Sequence, residues 1–345
     1  MIYIYIYMGL SLLSIIDNFK HNFKIHYIFI ALALFVLISI RFDVGTDYFA
    51  YYDFFGRERE SIFDINFEPG FSIIVYFLRL WGFGPEFIMA MFAFVSIILT
   101  YIGVSRHSKA IGISLLIYFS LYLIPMNFNA VSQGVAIGFY LFSLKYIIQR
   151  DITKTSIISL IAFALHSSGV FIFLSYLFLS LNFNRNRLAL LVILSCFLIV
   201  LNSQISSLIV NLPISSISEK MSSYNEIFEG NVSYASYAIR LFVVLALLCL
   251  YDRMSHDDRD IMRLYVLSIF FYSVFFNNGL LATRINLFFK VLDVILIANV
   301  VYYFKSGISR YIVWLCITIF CFLILSANFN NEKVWNYQVI QNVLN

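Results

Sequence analysis

The sequence predicts an all-α fold, a polytopic integral membrane protein with about 10–14 transmembrane or re-entrant helices. Three observations predict it. Of 345 residues, 61% are hydrophobic, 19% aromatic and only 12% charged, against about 25% charged in soluble domains; mean hydropathy is +0.87. Apolar runs close to span length, about 17–25 residues, recur from one end of the chain to the other. Polar residues are confined to short connectors and two longer loops at 41–68 and 204–231. Such a chain cannot cover a water-facing surface, so its solvent is largely lipid. No repeat, soluble domain or low-complexity linker interrupts the pattern, and residues 1–345 read as one transmembrane domain.

Candidate spans are 1–16, 25–40, 87–104, 111–125, 130–148, 188–202, 233–251, 264–277, 284–304 and 311–327. The first has no basic residue before it and no small-residue cleavage site, so it reads as a retained helix rather than a removed signal peptide. Lys and Arg in short loops face the cytoplasm. Placing Lys20/Lys24, Arg106/Lys109, Lys145/Arg150/Lys154, Arg185/Arg187, Arg253/Arg259/Arg263 and Lys305/Arg310 inside puts both long loops and both termini outside. Parity then constrains two stretches. Between Glu68 and Arg106 the number of crossings must be odd, and 87–104 supplies one, so 69–82 is interfacial or re-entrant. Between Lys154 and Arg185 it must be even, which asks for two short helices in 156–181. A break at Leu165-His166-Ser167-Ser168-Gly169 would place His166 at the tip of a hairpin. The alternative is one tilted span with Arg185 and Arg187 outside. Irregular backbone at membrane depth is tolerated only where it lines protein or a water-filled cavity.

The 23 Lys+Arg against 19 Asp+Glu give a net charge of +4. That excess suits anionic lipid and is too weak for a nucleic-acid partner. Cys196, Cys249, Cys316 and Cys321 all lie in apolar runs, with neither metal-ligand spacing nor a disulfide framework. Neither a metal nor a cofactor is expected.

Ionisable groups inside the membrane cost about 2.5–3.5 kcal/mol each on insertion scales, so they are functional candidates. Arg240 lies in the 233–251 run, and Arg284, Lys290 and Asp293 follow in 284–304. Lys290 and Asp293, three apart, share a helix face and can neutralise each other. Arg240 and Arg284 have no carboxylate nearby in sequence. They either snorkel to headgroups or form a cationic pocket, since the guanidinium fork binds phosphate bidentately. His166 is the one histidine well inside an apolar segment; His21, His26, His107 and His256 sit in or near inner loops. It is either a packing residue or a general base. No Gly-x-Ser-x-Gly elbow accompanies its Ser-Ser-Gly neighbours, which argues against a serine protease. The loop from Arg41 through Asp43, Asp47, Tyr48, Tyr51 and Tyr52 to Glu68 combines carboxylates with aromatic faces. Beyond an interfacial aromatic belt, that combination suits a carbohydrate: hydroxyls bond carboxylates and sugar C–H faces stack on rings.

The string Arg41-x-x-x-Gly45-x-Asp47-Tyr48-x-x-Tyr51, followed by Glu68-Pro69-Gly70-Phe71, resembles the EpsG family of polysaccharide-assembly proteins. So do Asn129-Ala-Val-Ser-Gln133-Gly-Val-Ala136, Ala162-Phe-Ala-Leu-His166-Ser-Ser, and Ala282-Thr-Arg284-Ile-Asn-Leu-Phe-Phe. That family is similar to the Wzy-type O-antigen and capsule polymerases, and the resemblance spans about residues 25–300. One position departs from it. The family usually carries Arg before the Gln of the central helix, where this chain has Ser132. The resemblance implies metal-independent glycosyl transfer between oligosaccharide repeat units linked to undecaprenyl pyrophosphate. The setting it implies is the outer face of the bacterial cytoplasmic membrane, with a chain-length regulator and a flippase as partners. Fixed cations would stabilise the departing pyrophosphate, a role assigned to Arg240 and Arg284 with Lys290 third. His166 would be the base and Asp47 the second choice; Arg41, Tyr48, Glu68 and Gln133 would contact substrate. Competing readings are a flippase for lipid-linked sugars, a membrane O-acyltransferase and an O-antigen ligase. A transporter often shows two similar halves, which this sequence lacks.

Overall fold

A computed structural model describes residues 2–18, 24–57, 67–204, 233–304, 307–327 and 330–340. Most of the loop expected at 204–231, the second half of the 41–68 loop, Lys20 and Lys305 lie outside the described residues. The protein is an all-α polytopic membrane protein. It forms two compact units, one of Met1–Tyr176 with Val294–Asn345 and one of Leu177–Asp293.

The first unit opens with α1 (Ile2–Ser14), α2 (Lys24–Ser39), the short strand β1 (Arg41–Phe42) and α3 (Tyr48–Gly56). It continues with α4 (Pro69–Leu80), α5 (Pro85–His107), α6 (Ile111–Leu121), α7 (Val131–Ile148), α8 (Ile152–Leu165) and α9 (Val170–Ser180). The second unit holds α10 (Arg185–Val200), α11 (Tyr234–Cys249), α12 (His256–Val274) and α13 (Gly279–Lys290). After α14 (Asp293–Val300), the chain adds α15 (Ile308–Ser326), α16 (Glu332–Trp335) and β2 (Gln338–Val339) to the first unit.

Among the described residues, three helices, α5, α7 and α15, are long and apolar enough to cross a membrane, and up to five if two bent pairs each count as one span. α7 is buried nearly all round, which is why it shows no amphipathic stripe. Small residues on α5 and α7 (Ser96, Gly103, Gly134 and Gly138) allow close approach of backbones, the usual means of packing helices in lipid. α15 instead exposes Ile308, Ile312, Leu315, Ile319 and Leu323, a face suited to lipid.

The structure differs from the expected spans at two breaks. The run 111–125 is not one helix: α6 ends at Leu121 and the chain enters a π-type segment, Leu123–Asn129, bent by 59° from it. Pro125 lacks the N–H that would continue an α-helical ladder. The run 284–304 is also interrupted, between α13 and α14, and Lys290 Nζ meets Asp293 Oδ2 at 3.2 Å across the break. Lys290 ends one helix and Asp293 begins the next, so each charge complements its helix terminus.

The two stretches constrained by parity resolve clearly. α4, at 12 residues, is about 18 Å long and cannot cross the bilayer. It buries Phe71, Val75 and Leu78 and exposes Phe77, Leu80 and Trp81, as an interfacial helix does. In 156–181 the chain reverses at His166. Ser159 Oγ donates to Gly169 O at 3.0 Å, and Arg150 Nη1 reaches Tyr176 O at 3.3 Å, so the turn Ser167–Gly169 folds back on α8 and α9 returns toward the residues that precede α8. The single tilted span is excluded.

Candidate functional site

Four of the five segments that carry the sequence motifs, those around Arg41–Tyr51, Glu68–Phe71, Asn129–Ala136 and Ala162–Ser168, meet in the first unit. Tyr48, Tyr51, Phe71, Val131 and Leu165 belong to one hydrophobic cluster with Phe54, Phe55 and Phe92. Asp47, Ser132 and His166 each adjoin one of these core residues in sequence, so burial of the core fixes their positions. Polar contacts then pin the segments. Asn129 Oδ1 accepts from Thr46 N at 3.0 Å, and Tyr51 Oη lies 3.3 Å from Ser132 Oγ. Glu68 Oε1 accepts from Ser167 N at 2.8 Å.

Two glycines make this meeting possible. A Cβ on Gly70 would lie 2.6 Å from Ala164 O, so α4 can start against the end of α8 only with glycine there. A Cβ on Gly169 would lie 2.3 Å from the Ala162 carbonyl carbon, which closes the hairpin behind His166. Deeper in the same unit, Tyr118 donates to Asn127 (2.6 Å), Asn127 to Ser96 (2.9 Å) and Ser96 to Gly134 O (3.1 Å). This buried chain steadies the π-type segment leading to Asn129 and Gln133, a type of irregularity frequent at functional sites. Gln133 is fully buried below Ser132.

His166 caps the turn Ser167–Gly169. Its Nδ1 accepts from Ser168 N at 3.2 Å and lies 2.8 Å from Ser168 Oγ. A ring nitrogen that accepts from a backbone N–H carries no proton of its own, so the neutral imidazole holds its proton on Nε2. The basic nitrogen is then Nδ1, with the Ser168 hydroxyl directed at it. The group can draw a proton through Ser168 or donate one from Nε2.

Arg41 is 1% exposed. Its guanidinium lies over the rings of Phe128 (4.6 Å) and Tyr48 (5.6 Å), with Nη1 donating to Val44 O at 2.9 Å and Nη2 set against Met89 Sδ at 3.6 Å. Burial lowers its pKa to about 10 against the opposing pull of nearby tyrosines, which leaves it a cation at neutral pH. Tyr48 is buried too, with its face stacked on Tyr52 at 5.8 Å. Tyr52 Oη donates to Glu86 Oε1 at 2.7 Å. Sequence reading missed this Tyr52–Glu86 pair: Gly84-Pro85-Glu86 signals a helix start and nothing more. Asp47 accepts from Thr46 Oγ1 at 2.9 Å.

The second unit carries a separate cationic group. Arg240, half-buried on α11, stacks on Tyr272 of α12 at 4.1 Å. Asn286 of α13 donates to Ser268 O and accepts from Arg240 Nη1. Lys290 is one turn further on the Asn286 face, bonded to Asp293; Tyr265 lies within electrostatic reach of Arg240 and Asp293. Arg284 is two residues from Asn286, about 200° round the helix, so α13 presents it on another face. Sequence reading grouped Arg240 with Arg284; the structure groups Arg240 with Tyr272 and Asn286. Among the described residues, no three of His, Cys, Asp or Glu are placed to hold a metal ion.

The EpsG family model matches residues 24–340. The chain belongs to the EpsG family. EpsG proteins are polysaccharide polymerases of the Wzy type, and the matched region contains each residue of both groups described above. No curated protein and no solved structure matches the chain.

Proposed function

We propose that this EpsG protein polymerises oligosaccharide repeat units carried on undecaprenyl pyrophosphate. The transfer takes place at the outer face of the bacterial cytoplasmic membrane, in O-antigen, capsule or exopolysaccharide assembly. The observation that carries the reading is the convergence of four distant segments, at Thr46–Tyr51, Glu68, Asn129–Ser132 and His166–Ser168, around one aromatic cluster. An acceptor sugar hydroxyl attacks the anomeric carbon of the donor chain. The bond from that carbon to the pyrophosphate oxygen breaks, and the lipid diphosphate leaves with the bonding electrons. The hydroxyl proton passes to His166 Nδ1, with Ser168 Oγ as relay, or to Asp47 as the second choice. A departing diphosphate needs fixed cations, and Arg240 and Arg284, with Lys290 third, are the residues put forward for that role. Arg41, Asp47, Tyr48, Glu68 and Gln133 hold the sugars and their carrier. A flippase and a chain-length regulator would act beside it.

The test is a gel profile of surface polysaccharide from the native host after deletion of the gene and complementation. Deletion should collapse the long-chain ladder to single repeat units. Wild type restores it, whereas His166→Ala at equal protein level lowers chain extension by about 100-fold or more. An intact ladder after deletion would overturn the reading. Total loss of surface sugar would point to transport of the lipid-linked unit, and long chains stranded on carrier would point to ligation.

A further inference from the structure

Arg41 is held by one carbonyl, one thioether and two ring faces, and the guanidinium has five donors to satisfy. Its Nε is buried with no hydrogen-bond partner, and so is the hydroxyl of Tyr3, which lies within electrostatic reach. No carboxylate among the described residues pairs with it. Buried polar atoms without partners are few in native proteins, and each needs a reason. A sealed cation with an idle donor fits an anion that is not yet there.

What seals it is the end of the described chain. Val339 of β2 is the antiparallel partner of Arg41, and Gln338 that of Phe42. Gly45 N donates to Lys333 O and Ile340 N to Ile40 O, each at 3.0 Å. Trp335 and Tyr337 pack on Tyr3 at 5.6 and 5.8 Å. This strap, residues 332–340, has one buried apolar side chain of its own, Val334. Elements with so few buried contacts open at far lower cost than the core.

We infer that the Arg41 cage is the closed form of a phosphate-binding site and that the strap must lift to load it. The inference rests on the polymerase reading, which needs two diphosphates, one leaving with the donor's carrier and one staying on the acceptor's. A planar fork over aromatic rings is suited to phosphate oxygens.

A reversible lock tests the strap. Facing residues of an antiparallel pair are close enough for a disulfide, so Phe42→Cys/Gln338→Cys can be oxidised in membranes supplied with lipid-linked repeat units. Locking should lower chain extension about tenfold or more, reductant should restore it, and Phe42→Cys alone or Gln338→Cys alone, each beside the four native cysteines, should extend normally under oxidant. Normal extension by a verified cross-linked protein would overturn the gate. Failure of wild type to extend chains would instead strike the polymerase reading. Unfolding midpoints of purified protein then test the ligand. Farnesyl diphosphate should raise the midpoint by about 2–4 °C in wild type and not in Arg41→Lys. An equal rise with inorganic pyrophosphate would assign the site to free phosphate, and no rise with either would overturn it.

Discussion

Arg41 and Arg240 are both arginines over aromatic rings with no carboxylate partner among the described residues, yet they are held in opposite ways. Arg41 is closed in by segments far apart in sequence, from Tyr3 to Tyr337. Arg240 is half-open and held by neighbours on two helices of its own unit, Tyr272 and Asn286. Other basic groups of that unit follow the ordinary rule: Arg185 meets Asp252 and Arg263 meets Asp260. Where a membrane protein leaves an arginine without its counter-charge, function is the default explanation. The difference between the two is one of access: Arg41 is sealed, whereas Arg240 is half-open.

The largest expected effect lies at Arg41. Arg41→Met removes a buried charge that nothing balances, so the unfolding midpoint in detergent should stay level or rise. Chain extension should fall by about 100-fold or more. A midpoint that dropped with the activity would make Arg41 a structural pin and dissolve the contrast. Lysine substitution sharpens it. Arg240→Lys should keep about a tenth of the wild-type extension, while Arg41→Lys keeps none, because a sealed cage needs the planar fork. Smaller effects report how rigidly the Arg41 region is assembled. Gly70→Ala should cost about 1–3 kcal/mol by driving α4 off the end of α8, seen as a lower denaturation midpoint. Tyr51→Phe should cost only about 0.5–1.5 kcal/mol, the loss of the long hydroxyl contacts to Ser132 Oγ and N. A larger loss there would mean that the loop leans on those contacts more than on its aromatic core.

The helical class followed from hydropathy, and the reversal at His166 was one of two readings allowed by the loop charges, with a glycine three residues on as its local sign. Both signals are local or additive, so sequence displays them. The breaks in 111–125 and 284–304 were hidden because Pro125 stands at the end of its apolar run and because Lys290 and Asp293, three apart, read as a pair on one face of a continuous helix. The contacts Thr46–Asn129, Tyr51–Ser132 and Glu68–Ser167 have no periodicity to betray them; family resemblance named the residues, and only the fold brought them together. Ser132 is instructive. Where an arginine was expected, the serine approaches Tyr51 in a fully buried position. The strap was missed altogether, since 332–340 follows the last apolar run and reads as a polar tail; Trp335 and Tyr337 were its only signs.

The strap also bears on how the protein is made. The Tyr337 hydroxyl bonds the carbonyl of Leu37, a residue 300 positions earlier. At ordinary translation speeds of about 5–20 residues per second, that interval is about 15–60 s. Through all of that time the loop after α2 lacks the strand that pairs with Arg41 and Phe42. A chain released before residue 332 therefore keeps the helices up to α15 in sequence but lacks the strand that closes the loop. Protein extended or tagged immediately after the strap carries the same risk in milder form.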